Sequence, residues 1–355
     1  MDRLKIGLIS TPFFGVPPPK YGGLERVVYD LWDGLLKRGH KVICFSPNPT
    51  ITPRDGFHVN TGEAVSTVGV DWLNSEREML LKCEPYFSDL DIMHEHNWFG
   101  HLYAAKTRNA ALKCCHTHHG HINYEWWGRS QPPFKLNLIG ISKWMKHCYE
   151  SGYDNKAPMK MPSEYAYNGV DMAEYSYKKD KGDSLMFLGR VDPIKAPHNA
   201  LEVAELTNLS IDIVGGTSFV ADPQYVTHIS KRCNANEKHR FIGEVDHQTK
   251  VKYLQNAKAL LIPSQFGEPF GLIAVEAMAC GTVPIALRDG ALPEIIEHGK
   301  SGFICDSINE MVEAVKRVET VDPSDCRKRA EQFSKERMAE RYEHLYKRVS
   351  SGDEW

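Results

Sequence analysis

Two glutamates, Glu268 and Glu276, stand eight positions apart in Gly267-Glu268-Pro269-Phe270-Gly271-Leu272-Ile273-Ala274-Val275-Glu276. The apolar run Lys258–Ser264 before them suits a buried strand, and Ala274–Cys280 followed by Gly281 suits a helix with a glycine stop. Glu268 then falls in the strand-to-helix loop and Glu276 about a turn inside the helix. Between them the amides of Phe270, Gly271 and Leu272 point out of a helix N-terminus, which carries roughly half a positive charge and unpaired donors. That end suits a phosphate, and a carboxylate on either side suits hydroxyl groups. Sugar, diphosphate and ribose follow one another in that way in a sugar nucleotide. An arbitrary Glu pair is equally well a solvated loop residue and a helix-surface charge.

Two cations lie five apart in Phe187-Leu188-Gly189-Arg190-Val191-Asp192-Pro193-Ile194-Lys195, just past another apolar run. Arg190 and Lys195 in such a loop can converge on a diphosphate through charge-assisted bonds, although loop cations are more often solvated. Near the start, a strand runs through a proline-rich loop to Gly22-Gly23 and then into a helix striped by Leu24, Val27, Val28, Leu31, Trp32, Leu35 and Leu36. Glycines at such a turn let a ligand approach the backbone; a plain turn explains them as well.

Histidines crowd the first half: His94, His96 and His101, then His116-Thr117-His118-His119-Gly120-His121. His116, His118 and His121 fit the three histidines of a metallo-β-lactamase-type zinc motif. Gly120 occupies its aspartate position, however, and the chain lacks the antiparallel patterning of that fold. Neighbouring parallel strands also bring His96 near His118 or His119 without any metal. Trp98, Tyr124, Trp126 and Trp127 offer stacking surfaces for a sugar, with core packing the ordinary explanation for any one of them.

These groups need elements to hold them. Short apolar runs at Lys5–Thr11, Lys41–Ser46, Asp91–His96, Leu112–His118 and Leu136–Ser142 read as strands. In the second half Ser184–Gly189, Ile211–Gly215, Phe241–Val245, Ala259–Pro263 and Val283–Leu287 repeat the theme. Helical periods separate them, so the fold class is α/β with parallel sheets, one in each half, as two Rossmann-like domains facing a cleft. The divisions expected are 1–170, a polar linker at 171–183, a second domain at 184–330 and a closing C-terminal helix at 331–355.

A chain of 355 residues suits two domains. Its formal charge of −3 argues against nucleic acid as the main partner. No apolar stretch reaches the roughly 18 residues a membrane span needs, and the start lacks a signal-peptide core. Local basic clusters leave peripheral contact with an anionic membrane open. Nine scattered cysteines without a Cys-x-x-Cys pair fit a reducing, cytoplasmic setting.

The segment from Gly267 through Ala277-Met278-Ala279-Cys280-Gly281-Thr282-Val283-Pro284, Gly290-Ala291-Leu292-Pro293-Glu294 and Gly299-Lys300-Ser301-Gly302-Phe303 resembles the Glu-x7-Glu element of the family-4 retaining glycosyltransferases. The resemblance covers essentially the whole chain, most densely residues 184–305. It implies the GT-B fold, with the last helix crossing back to the first domain. It also implies transfer of a sugar from a nucleotide diphosphate sugar, UDP by family frequency, to a sugar, lipid-linked or small-molecule acceptor. On that resemblance Arg190 and Lys195 neutralise the departing diphosphate, Glu268 holds the sugar hydroxyls and Glu276 the ribose. Phe270, Gly271 and Leu272 cradle phosphate, and Gly22 and Gly23 lie near the diphosphate and the acceptor. His119 lies beside the donor sugar, Val245 near the base, and Asn168-Gly169-Val170-Asp171 at the domain junction. No Asp-x-Asp stands at a strand end to hold a divalent ion, so no metal or other cofactor is expected. A glycosyl phosphorylase on the same scaffold and a non-catalytic sugar-nucleotide binder remain the alternatives.

Overall fold

The computed structural model describes residues 3–19, 22–48, 51–101, 105, 111–120, 137–151, 161–217 and 222–355. His121, Tyr124, Trp126 and Trp127 lie outside them. The chain forms two compact units, Met1–Gly169 with Lys335–Trp355, and Val170–Ser334.

In the first unit, strands β1 (Lys5–Ile9), β2 (Lys41–Ser46), β3 (Phe57–Asn60), β4 (Ile92–Glu95), β5 (Cys114–His118), β6 (Leu138–Gly140) and β7 (Ser163–Tyr165) form one sheet. Their order is β3-β2-β1-β4-β5-β6-β7, and every pairing is parallel. Parallel strands are covered on both faces, so central ones read as unbroken apolar runs; β1 (KIGLI) buries four of its five residues. The helix Gly23–Lys37 turns its buried stripe, Val27, Val28, Leu31, Trp32 and Leu35, inward.

The second unit repeats the plan. Strands β8 (Leu185–Leu188), β9 (Ile211–Val214), β10 (His239–Gly243), β11 (Ala259–Ile262), β12 (Val283–Leu287) and β13 (Phe303–Cys305) lie in the order β10-β9-β8-β11-β12-β13, again all parallel. In each sheet the order reverses once, between β1 and β4 and between β8 and β11. Such a reversal opens a crevice beyond the carboxyl ends of the two strands, where ligands bind in this class of fold.

Two expectations need correcting. Residues 171–183 are not a free linker but a layer folded onto the second unit. Tyr175 is buried, the Lys178 amide donates to Cys280 O at 3.1 Å and the Lys181 ammonium to the same carbonyl at 2.8 Å. The Arg327 guanidinium clamps the stretch by donating to Tyr175 O at 2.6 Å and Met172 O at 3.2 Å. The closing helix also does not begin at 331. A helix Pro323–Ala330 and a tight turn Glu331–Phe333 belong to the second unit, Ser334 is extended, and the last helix runs Lys335–Ser350 within the first unit. There its Tyr346 hydroxyl meets His94 Nδ1 at 2.6 Å and its Tyr342 hydroxyl meets Thr117 at 2.9 Å. Trp355 follows and donates its indole N–H to Leu138 O at 2.9 Å.

Candidate active site

The crevice of the second unit is built from the loops after β8 and β11. Past β8, Asp192 accepts the Ile194 amide at 3.1 Å and caps the turn Pro193–Lys195, which aims Lys195. Lys195 Nζ reaches Glu268 Oε2 at 2.7 Å and lies 4.2 Å from the centre of the Phe266 ring. Arg190 sits on the same loop, its Nε 3.6 Å from Asp192 and without a hydrogen bond among the described residues. The two cations singled out from the sequence therefore share one loop, and one of them touches one of the two glutamates.

Glu268 is held by its own backbone. Asp289 accepts the amides of Phe266 at 3.1 Å, Gly267 at 2.9 Å and Glu268 at 3.0 Å, and the Ala291 amide returns to Glu268 O at 2.8 Å. Gly290 makes this closeness possible, because a Cβ there would stand 2.2 Å from Glu268 O. Three consecutive amides converging on one carboxylate form an anion-binding concavity that the chain fills itself.

Gly271 starts the helix Leu272–Ala279 in a left-handed conformation, φ 90°, where a Cβ would strike Leu292 at 2.6 Å. Phe270 is buried; in the helix's first turn the Ala274 amide donates to Gly271 O at 2.9 Å, and the Leu272 and Ile273 amides have no partner within the helix. One turn in, Glu276 is buried, with Tyr175 Oη at 2.7 Å and Lys250 Nζ at 2.6 Å. Val245 is half-buried in the loop between β10 and the helix His247–Asn256 that supplies Lys250.

In the first unit the loop after β1 brings Thr11 to Glu25, the hydroxyl donating to the carboxylate. Burial pushes the Glu25 carboxyl up to about 7, against the lowering effect of Thr11. Gly22 is buried before the helix, where a Cβ would lie 2.7 Å from Pro18 and 3.0 Å from Glu25; Gly23 faces open space. Past β5, His119 Nε2 shares a hydrogen bond with His96 Nδ1 at 2.9 Å. Burial, then the neighbouring histidines, holds His94, His96 and His119 well below the usual imidazole range, so they are neutral. Ser10 Oγ, His96 Nε2 and both side-chain polar atoms of Asn97 are buried without a hydrogen bond among the described residues.

Of the three histidines of the metal reading, His116 is turned to Glu95 at 3.0 Å and to His118 at 3.4 Å. His121 lies outside the described residues. Among the described residues no group of three or more His, Cys, Asp or Glu is placed to hold a metal. Trp98 packs edge-on against His118 at 5.4 Å, and its amide is anchored by Glu76 at 2.9 Å.

Residues 173–337 match the family described as glycosyl transferases group 1, and residues 21–152 match glycosyltransferase family 4. The chain belongs to the group 1 glycosyltransferases. Among curated relatives, glycogen synthase of Mycobacterium tuberculosis is 24% identical over 374 residues, covering 92% of this chain and 88% of that protein. D-inositol 3-phosphate glycosyltransferase 2 of Catenulispora acidiphila is 35% identical over 131 residues, which is 34% of this chain and only 30% of that enzyme. Among solved structures, sucrose-phosphate synthase from Thermosynechococcus elongatus superposes with a TM-score of 0.78 at 19% identity, over 99% of this chain and 100% of that one. HepE of Anabaena, solved with UDP and glucose, gives 0.71 at 16% identity over 97% and 100%. At these identities the structural likeness speaks for the GT-B fold. Among the described residues no helix of this glycosyltransferase is long and apolar enough to cross a membrane.

Lys250, Tyr175 and Asp289 escaped the reading of the sequence. Lys250 looks like a solvated helix cation, and Tyr175 lies in the stretch taken for a linker. Only the Asp289-Gly290 pair carried a signal, as a turn dipeptide.

Proposed function

We propose that this glycosyltransferase moves a sugar from a nucleotide diphosphate sugar, UDP favoured, to an acceptor hydroxyl, with retention and without a metal. The observation that carries the reading is the contact of Lys195 with Glu268 beside the N-terminus of Leu272–Ala279. Cation, helix end and hydroxyl-accepting carboxylate then meet at one crevice, as the donor requires. Lys195 shifts part of its bonding from Glu268 to the diphosphate, and Arg190 and the first-turn amides of the helix share the charge. The bond from the anomeric carbon to the diphosphate oxygen breaks. A bond to the acceptor oxygen forms on the same face, and the acceptor's proton passes to the departing diphosphate. Glu268 binds sugar hydroxyls and Glu276 the ribose; His119 accepts or donates a hydroxyl hydrogen bond as a neutral imidazole. Gly22 and Gly23 keep the first unit's backbone open to ligand, and Val245 borders the base. The acceptor is a sugar, a lipid-linked saccharide or a small molecule. HepE is solved with UDP and starch synthase IV of Arabidopsis thaliana with ADP, so these neighbours agree with a nucleotide donor and do not choose its base.

A melting panel of UDP-, GDP- and ADP-sugars tests the donor, since a ligand at 100 times its dissociation constant stabilises by about 2.7 kcal/mol. Proton NMR of the product from an α-linked donor should show an α-linkage, with the rate unchanged in EDTA. A β-linked product or loss of turnover in EDTA would overturn the mechanism.

A further inference from the structure

Glu276 is the one charged residue in the helix sequence LIAVEAMA, and it is 4% exposed. A carboxylate in such surroundings needs partners. It has two, and both take the same oxygen: the Tyr175 hydroxyl and the Lys250 ammonium each donate to Oε1, at 2.7 and 2.6 Å. Oε2 accepts no hydrogen bond from a described residue. The partners are themselves fixed. The Tyr175 ring is buried, packs edge-on against His247 at 5.3 Å between centroids, and lies 5.6 Å from the Lys250 ammonium. The helix carrying Lys250 is capped by Asp246, which accepts the Thr249 amide at 2.8 Å.

We propose that Lys250 and Tyr175 are positioning residues for nucleotide recognition. By loading Oε1 they lock the carboxylate rotamer and leave Oε2 as a single, aimed acceptor for a vicinal diol, the 2′- and 3′-hydroxyls of a ribose. A lone carboxylate oxygen rejects phosphate and takes hydroxyl donors, which restricts the bound group to that end of the nucleotide. The inference rests on the donor reading above and adds how the ribose carboxylate is held.

The test compares dissociation constants of the tightest-binding of UDP, GDP and ADP with those of its 2′,3′-dideoxy analogue, by calorimetry. The wild-type protein should prefer the ribonucleotide by about 10- to 100-fold, the range for hydrogen bonds to a charged group. Lys250→Met should shrink that preference to below about threefold, and Lys250→Arg should retain most of it. Tyr175→Phe, which keeps the ring, should lower it by an intermediate factor, and it decides the matter if Lys250→Met fails to fold. Equal weakening of both nucleotides in Lys250→Met, or an unchanged preference, would overturn the positioning role. Glu276→Ala separates the two levels. If it keeps the wild-type preference, or if the wild type binds none of the three nucleotides, the ribose reading itself falls.

Discussion

The two units carry the same strand order and put polar groups at the same kind of crevice, yet they treat charge in opposite ways. In the second unit each of the two site glutamates has a cation: Lys195 on Glu268 and Lys250 on Glu276, both within 2.7 Å. Around the strand ends of the first unit burial removes charge instead, although Asp33, Glu164 and Glu343 elsewhere in it keep cationic partners. Glu25 is pushed to about 7 and Glu76 to about 8, while His94, His96 and His119 are held neutral. A crevice of paired charges can exchange a partner for an incoming anion at little desolvation cost, because its ions are already compensated. A crevice of neutral donors and acceptors repels no hydroxyl and attracts no phosphate. One topology thus supports two kinds of recognition, set by which side chains the strand ends carry.

The sharpest way to break this contrast is to remove the exchangeable cation. Lys195→Met leaves Glu268 uncompensated and takes one preorganised donor from the departing diphosphate. The turnover number at saturating donor should fall by about 10²- to 10³-fold, the usual loss for a single such donor. Initial rates with purified variant measure it. A rate within threefold of wild type would make the Lys195–Glu268 pair a structural tie, and the contrast between the units would lose its functional meaning.

The first unit's half of the contrast predicts a pH dependence. Unfolded, Glu25 ionises near the ordinary 4.5; folded, near 7. Below 4.5 both states hold the proton and burial of the acid carries no penalty. Between 4.5 and 7 only the unfolded state releases it, so stability falls as pH rises, and above 7 the deficit is constant. The whole effect is on the order of 3 kcal/mol. The histidines act the other way, since their depressed values cost stability as pH drops below the unfolded 6.5. Glu25→Gln keeps an acceptor for Thr11 and isolates the acid. Its stability relative to wild type should rise between pH 5 and 8, and slowed exchange of the β1 amides should report it. A difference independent of pH would show that Glu25 is ionised in the fold and that the two units handle charge alike.

Much of this arrangement is legible in the chain, and the exceptions have physical causes. All ten strands read from apolar runs are present, because β1, β11 and β12 are covered on both faces and carry unbroken apolar sequence. The three strands missed, β3, β7 and β13, each lie at the edge of a sheet and are three or four residues long. One-sided pairing needs less apolar surface, and β3 is exposed at both ends and half-buried between. β13 is buried throughout, but its three residues are too few to show a pattern. At the site, Lys195 and Glu268 could be matched by motif, whereas Lys250 and Asp289 act through contacts made 26 and 21 positions away. Nothing local distinguishes such a residue from a solvated charge. Residues 171–183 mislead for the same reason, because Lys181 is spent on the main-chain carbonyls of Gln255 and Cys280 and Lys178 on the side chain of Asn256.

The smallest of these effects asks whether paired charge in the second unit also depends on backbone placement. Asp289 is half-buried and takes no part in either ion pair, yet it gathers the amides of residues 266–268 that carry Glu268. Asp289→Ala frees three donors in a loop that water reaches in part, which should cost about 1–3 kcal/mol of stability. Hydrogen exchange of the β11 and β12 amides along a denaturant series would measure that loss in the second unit. Glu268 then samples positions beyond reach of the donor sugar, while the nucleotide end, held from Leu272–Ala279, is untouched. The turnover number should drop about tenfold with the nucleotide dissociation constant unchanged within twofold, and Asp289→Asn, keeping one acceptor oxygen, should fall between. Equal losses in nucleotide affinity and turnover would mean that the loop and the helix move as one body. The charge pairing would then be maintained by packing of the whole segment rather than by this carboxylate.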